Sequence, residues 1–252
     1  HLQTLALWSA NLQEEGTKGI ANYLGGNRTL LSLELTDCGI GELGCKSLSD
    51  ALEKNTVLTR LCLDFNQIGN GGAQLLEGLS YNRALVNLEL SYCGLTAAAG
   101  PLLADGLMKC PTLKTLELKG NELGAEGVLA VLGANKAKPG LFHLGLADTS
   151  ISREPDVQAL LLDCMATTPL CCEYDLMGNM LGDQFCYEIL KLARVHMHMI
   201  DIRVCATSAI DPLLYKQLLD QCGANKKEWT KAQKALKKKG GKGGKKGGKK
   251  KK

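Results

Sequence analysis

Aromatic residues are scarce in this 252-residue chain, at 4% of the total. A core cannot then be built round a few large rings, so Leu and Ala must supply it through many small, similar contacts. Long apolar runs are missing too: no uncharged stretch approaches the ~18 residues that a membrane span requires. The start shows no basic, apolar, small-residue leader, and the first residue is His1 rather than Met, as expected of a fragment or a processed form. No cysteines have CxxC spacing. The GxxxxGK[ST] nucleotide loop and the GxSxG elbow are also lacking. His196 and His198 form an HxH without an identifiable third ligand, and adjacent Cys171 and Cys172 point to opposite faces of a strand. The expectation is a protein that is not an enzyme and holds no cofactor or metal.

What is present is a repeat, which takes precedence over every other signal. LQTLALWSANL from residue 2 aligns with LLSLELTDCGI from 30, LTRLCLDFNQI from 58 and LVNLELSYCGL from 85. The series continues with LKTLELKGNEL from 113, LFHLGLADTSI from 141, CCEYDLMGNML from 171 and a weaker MHMIDIRVCAT from 197. The LxL pair has the period of a short strand that sends both leucines to one side. The residue ending each strand runs Asn11, Cys38, Asn66, Cys93, Asn121, Thr149, Asn179, Cys205. An Asn there can bond the backbone of the turn, with Cys or Thr as a smaller substitute. Gly16, Gly44, Gly72, Gly100 and Gly127 recur where each loop enters a helix, and are expected to let it sit close against the sheet. Pro101, Pro155 and Pro212 stand at expected helix starts, while Pro111, Pro139 and Pro169 stand in loops leading back to strands.

This LxxLxLxxN/CxL unit resembles the ribonuclease-inhibitor subclass of leucine-rich repeats. NQIGNGGAQLLEGLSYN and CGIGELGCKSLSDALEKN are similar to repeats of NACHT-type immune receptors and of leucine-rich subunits in ciliary axonemes. The resemblance covers residue 2 to about 222 and is weakest where Cys171, Tyr174 and Ile200 replace leucines. It implies an α/β fold: a right-handed horseshoe solenoid of about eight 28-residue strand–helix repeats, working as a protein-binding scaffold. Two alternatives come with it, a GTPase-activating scaffold like the Ran GTPase activators and the ligand-sensing repeats of a NACHT-type receptor. Ran GTPase activators usually carry an acidic tail, unlike this chain. The expected divisions are residues 1–222, a solenoid with a helical cap begun by Asp211 as N-cap, and 223–252, a basic tail disordered when free. An upstream segment or a partner is expected to cover the first strand.

The net charge of +4 conceals two opposed parts. Lys226 to Lys252 contains 14 lysines and one acid, Glu228, while the preceding 225 residues carry 16 basic and 25 acidic side chains. Lys237, Lys238, Lys239, Lys242, Lys245, Lys246, Lys249 and Lys250, without Arg or aromatics after Leu236, are suited to attract a polyanion such as nucleic acid or tubulin tails rather than to read a sequence. An alternative expectation is that the same tail folds back into the chain's own acidic groove. Trp229, Ala232 and Leu236 form one stripe of a short basic helix. Eleven cysteines, mostly inside apolar runs, read as buried free thiols in a reducing compartment. With the resemblance, they imply an intracellular, cytoplasmic place and a cytoskeletal or ciliary assembly.

On the concave face, the residues between the two leucines form a column: Ala6, Glu34, Cys62, Glu89, Glu117, Gly145, Asp175, Asp201. Asp37, Asp64, Asp148 and Glu173 flank it, with Arg60, Lys119, His143 and Arg203 as cations and Trp8, Phe65 and Tyr92 as aromatic anchors. Like charges on strands about 5 Å apart repel unless compensated. The expected ligand of this face is a basic protein, held by Trp8, Glu34, Asp37, Arg60, Asp64, Phe65, Glu89, Tyr92, Glu117, Glu173, Asp175 and Asp201.

Overall fold

The computed structural model describes residues 2–151, 154–205 and 210–240, with the side chains at 71, 73, 74, 77, 239 and 240 outside that description. Eight parallel strands lie in one sheet in chain order: β1 (Thr4–Trp8), β2 (Ser32–Thr36), β3 (Arg60–Cys62), β4 (Asn87–Glu89), β5 (Thr115–Glu117), β6 (His143–Gly145), β7 (Glu173–Asp175) and β8 (Asp201–Arg203). Each is followed by a helix: α1 (Gln13–Gly26), α2 (Glu42–Lys54), α3 (Gln74–Leu79), α4 (Gly100–Lys109), α5 (Gly124–Ala137), α6 (Pro155–Thr167), α7 (Asp183–Val195) and α8 (Pro212–Gly240). Every strand pairs only with its neighbours in sequence, which is the organisation of a solenoid of about eight repeats.

Leu5, Leu33, Leu61, Leu88, Leu116, Leu144, Tyr174 and Ile202 share one row of the sheet, and from Leu33 onward all are buried. Each buried Leu contributes roughly 2 kcal/mol, so the repeats add stability in near-equal steps. The eighth repeat corrects the expected alignment. Tyr174 pairs with Ile202 rather than Ile200, and Met199, fully buried, takes the slot of Leu141 and Cys171. A slip of two residues keeps the same side chains facing the core, so alternation alone could not choose between the registers. Asp201 therefore lies beside Glu173, Arg203 lies beside Asp175, and Cys205 leaves the Asn/Cys row.

That row is an alternation rather than a series of substitutes. Asn66 Oδ1 accepts from the amides of Cys38 and Ile40, while Nδ2 donates to the carbonyls of Leu35 and Leu63. Asn121 does the same for Cys93, Leu95, Leu90 and Leu118, and Asn179 for Thr149, Ile151, Leu146 and Leu176. One carboxamide serves two repeats, so the neighbour needs only a small side chain. The glycines also act differently from expectation. A Cβ on Gly100 would collide with the backbone of Gly127, so this pair brings α4 against α5 rather than against the sheet.

Asp211 caps α8, its Oδ1 accepting from Leu213 and Leu214. The helix then runs without a break to Gly240, so the division drawn at 222/223 falls inside a helix, and residues 223–240 are helical in this structure. Leu218, Cys222 and Asn225 are buried, and the Trp229 ring meets Phe142 at 5.8 Å. One apolar stripe spans Gly223, and that packing offsets the roughly 1 kcal/mol that a helical glycine costs. No helix among the described residues is long and apolar enough to cross a membrane.

Candidate protein-binding face

The strand face carries its acids in pairs, each pair spanned by a cation. Arg60 donates Nε and Nη2 to Glu89 at 2.7 Å and Nη1 to Glu34 at 3.0 Å. Trp8 Nε1 adds a bond to Glu34 at 2.6 Å. Arg60, and after it Trp8, hold the Glu34 carboxyl below the usual carboxylate range against the opposing effect of burial. Farther along, His143 lies between Glu117, which its Nε2 meets, and Glu173, at 3.2 Å from Nδ1. Burial is the largest single influence on the imidazole and would depress its pKa, but the two carboxylates together raise it above the ordinary histidine value. Arg203 meets Asp201 at 3.2 Å and Asp175 at 3.8 Å, and Lys226 of α8 also reaches Asp201, at 3.8 Å. The acidic column is therefore compensated from within and is not an open row of negative charge.

The remaining acids lie toward the rim. Asp37 is exposed and accepts from Ser9 Oγ at 2.6 Å. Asp64 accepts from the Ser91 amide at 2.6 Å, and its carboxyl is pushed up chiefly by burial. Cys62, Asp64 and Glu89 offer ligand atoms within 4.8 Å of one another. Glu89 is committed to Arg60, whose charge opposes a cation. Nor do the two histidines of the HxH form a site: their rings lie 5.4 Å apart, and His198 Nε2 meets the Met165 carbonyl at 2.8 Å.

Phe65 and Tyr92 form the feature that sequence reading placed but did not join. Their rings stack at 4.8 Å and 14° on adjacent rim turns, with Phe65 52% and Tyr92 36% exposed. Both backbones are left-handed, at φ of 60° and 54°, a conformation that is costly for a bulky side chain. Ser9, Asp37 and Asp148 share it, as does Gly120, where a Cβ would strike the Tyr92 ring. The turn leaving each strand imposes this backbone, so aromatic residues occupy it at a cost. Lys119 Nζ sits 5.8 Å from the centre of the Tyr92 ring. Trp8, 69% exposed, lies on β1 beside Thr36 of β2, two strands before Phe65.

Of the lysines expected to meet a polyanion, Lys237 and Lys238 are exposed on α8, while the side chain of Lys239 and all of Lys242, Lys245, Lys246, Lys249 and Lys250 lie outside the described residues. At 3.6 residues per turn, Lys227, Lys231, Lys234 and Lys238 share the side of α8 away from the Leu218, Cys222, Trp229 and Leu236 stripe, while Lys226 and Lys237 lie nearer that stripe.

A family model described as Leucine Rich repeat matches residues 26–49, 54–76 and 109–132. Ribonuclease inhibitor from Sus scrofa is 41% identical over 98 residues, 38% of this chain and 22% of the relative. This chain is a leucine-rich-repeat protein of the ribonuclease-inhibitor type. The leucine-rich-repeat protein is also 33% identical to NACHT, LRR and PYD domains-containing protein 4C from Mus musculus, over 64% of this chain and 17% of that one. These matches span about a fifth of the relatives' length. Among solved structures, Leiomodin-1 Actin-Binding Site 2 (ABS2) aligns with 88% of this chain and 95% of its own, at 12% identity and a TM-score of 0.38, a likeness that carries no argument.

Proposed function

We propose that this protein is a non-catalytic scaffold whose strand face grips a basic protein segment while the lysine side of α8 attaches to a polyanion. The Phe65–Tyr92 stack is the observation that carries the first half. Two exposed aromatic rings held in a strained backbone form a rigid platform of the residue type that dominates binding hot spots. Among the described residues no cation pairs with Asp37 or Asp64 beside the platform, whereas Glu89 and Glu117 are spent on Arg60 and His143. An arginine or lysine lying across the rings would find both a π surface and a counter-charge.

Lys227, Lys231, Lys234 and Lys238 along one side of α8, with Lys237 beside them, support the second half. Without Arg or aromatics among them, they suit sequence-independent attraction to closely spaced negative charges, which nucleic acid or tubulin tails would supply. The two weak contacts would act as one stronger one. A cytoplasmic, cytoskeletal or ciliary assembly is the setting that this reading favours. A second reading, ligand-sensing repeats of a NACHT-type receptor, draws on the 33% identity to the mouse relative. It predicts the same platform with a different occupant.

The experiment is affinity purification with three full-length baits: the native chain, Phe65→Ala with Tyr92→Ala, and a chain with Lys231, Lys234, Lys237 and Lys238 changed to Gln. Cutting at Gly223 is avoided because it removes Asn225, which serves three carbonyls. Protein partners that persist in high salt and in the glutamine bait, but vanish with the aromatic pair, support the scaffold. Loss with salt and with the lysines alone leaves a polyanion tether and removes the platform reading.

A further inference from the structure

The loops that return from helix to strand are pinned on one edge by a second set of asparagines. Asn55 Oδ1 accepts from the amides of Val57 and Leu58, and Nδ2 donates to the carbonyls of Leu24 and Asn27 one repeat earlier. Asn82 repeats the arrangement with Ala84, Leu85, Leu52 and Asn55. In each case the carboxamide stands three residues before the first buried leucine of the next repeat. Before Leu113, Leu141 and Cys171 that position is Cys110, Lys138 and Thr168, and of these Lys138 has the longest side chain.

Lysine has no acceptor, and Lys138 Nζ instead meets the Met108 carbonyl. The amides of Gly140 and Leu141 and the carbonyls of Leu107 and Cys110, equivalent to the groups that Asn55 serves, therefore have no carboxamide between them. A hollow of about 200 Å³ opens there, lined in part by Leu107, Cys110, Asn135, Lys138, Gly140 and Leu141. Asn135, one helical turn before Lys138, is 1% exposed, and neither its Nδ2 nor its Oδ1 has a hydrogen-bond partner. It lies beside the Cys171 thiol without closing a bond to it. An unpartnered buried carboxamide is a net cost to the fold, so the site is poised for an occupant that both donates and accepts.

We propose that this hollow binds a primary carboxamide, carried by the glutamine or asparagine side chain of a peptide or by a free amide-bearing amino acid. The site repeats the donor and acceptor pattern that the protein elsewhere satisfies with its own asparagines. A carboxylate of the same shape has no N–H for the carbonyls and would face the negative C-terminal ends of α4 and α5, against which stand the Lys114 and Lys138 ammonium groups that line the hollow and bond the Gly140 and Met108 carbonyls. The volume is below the ~300 Å³ at which pockets for drug-sized ligands begin, so it admits a side chain and not a large cofactor. This inference does not rest on the strand-face reading.

The test titrates the full chain, followed by NMR, with N-acetylglutamine methylamide, with free glutamine, and with N-acetylglutamate methylamide as the acid control. The expected result is saturable binding of an amide, with the acid weaker by at least about tenfold. Binding of the capped compound alone assigns a peptide side chain, and binding of free glutamine assigns a free amide. Lys138→Asn supplies the missing carboxamide in place, and should raise Tm by roughly 2–4 °C and abolish binding. Asn135→Leu should weaken binding at least tenfold even if Lys138→Asn does not fold. Absence of saturation by either amide at millimolar concentration, equal binding of the acid, or binding undiminished in these variants would overturn the proposal.

Discussion

Arg60 holds Glu89 by two parallel bonds of 2.7 Å, from Nε and Nη2, across the boundary between β3 and β4. The same guanidinium reaches back to Glu34, so one cation closes three adjacent repeats. Arg60→Met keeps the stem and removes the charge, leaving two glutamates facing each other. With the side chain 31% exposed, solvent screening limits the loss to about 1–2 kcal/mol, read as a lower urea midpoint. The effect should shrink as pH falls. Glu34 titrates below its ordinary value of 4.5 in the fold, so its stabilisation is complete above that value and is lost as pH drops through the folded pKa. A variant as stable as the native chain at neutral pH would show that the pairing is incidental.

Asn121→Ala is expected to be worse, although it changes no charge. Its carboxamide serves four backbone groups in two repeats and is fully buried. Orphaning them should cost roughly 2–4 kcal/mol. Asn11, which is exposed, provides the control, and Asn11→Ala should fall within about 0.5 kcal/mol of the native chain. Equal losses at both positions would remove the ladder as a source of stability.

His143 makes stability depend on pH in the opposite sense to Glu34. Its folded pKa is raised by Glu117 and Glu173, so its contribution is fully present below the ordinary 6.5 and is lost as pH rises through the folded value. The stability gap between the native chain and His143→Gln should therefore narrow as pH rises from about 6.5. Urea melts at a series of pH values measure it directly. A gap that widens with pH would mean that the imidazole is held neutral.

Thiol chemistry should single out one residue of eleven. Cys205 is the cysteine that is not buried. Burial pushes the thiols of Cys45, Cys62 and Cys171 up to about 12 and those of Cys164, Cys172, Cys186 and Cys222 up to about 11. Native labelling with iodoacetamide, mapped by mass spectrometry, should modify Cys205 first and the others only in denaturant. Rapid modification of Cys62 would show that the strand face opens far more than its geometry indicates.

The amino-acid sequence by itself determined the repeat, the facing of each leucine and the places of the prolines, because each depends on periods of two or 3.6 residues along the chain. Pro155 and Pro212 do open helices, and Asp211 caps the last one. The exposure of Trp8 follows from alternation, whereas that of Phe65 and Tyr92 does not, because the left-handed turn leaving each strand swings them outward. Only the tertiary structure decided what lies between repeats. It set the register of β8, where a slip of two residues leaves the pattern unchanged. It put Arg60 and His143 between acids that the sequence presents as a repulsive column. It also left Asn135 buried without a partner, one turn away from the asparagine row. Such facts depend on which atoms from segments about 28 residues apart come within 3 Å of one another, and a one-dimensional period fixes the neighbouring strand without fixing the reach of its side chains.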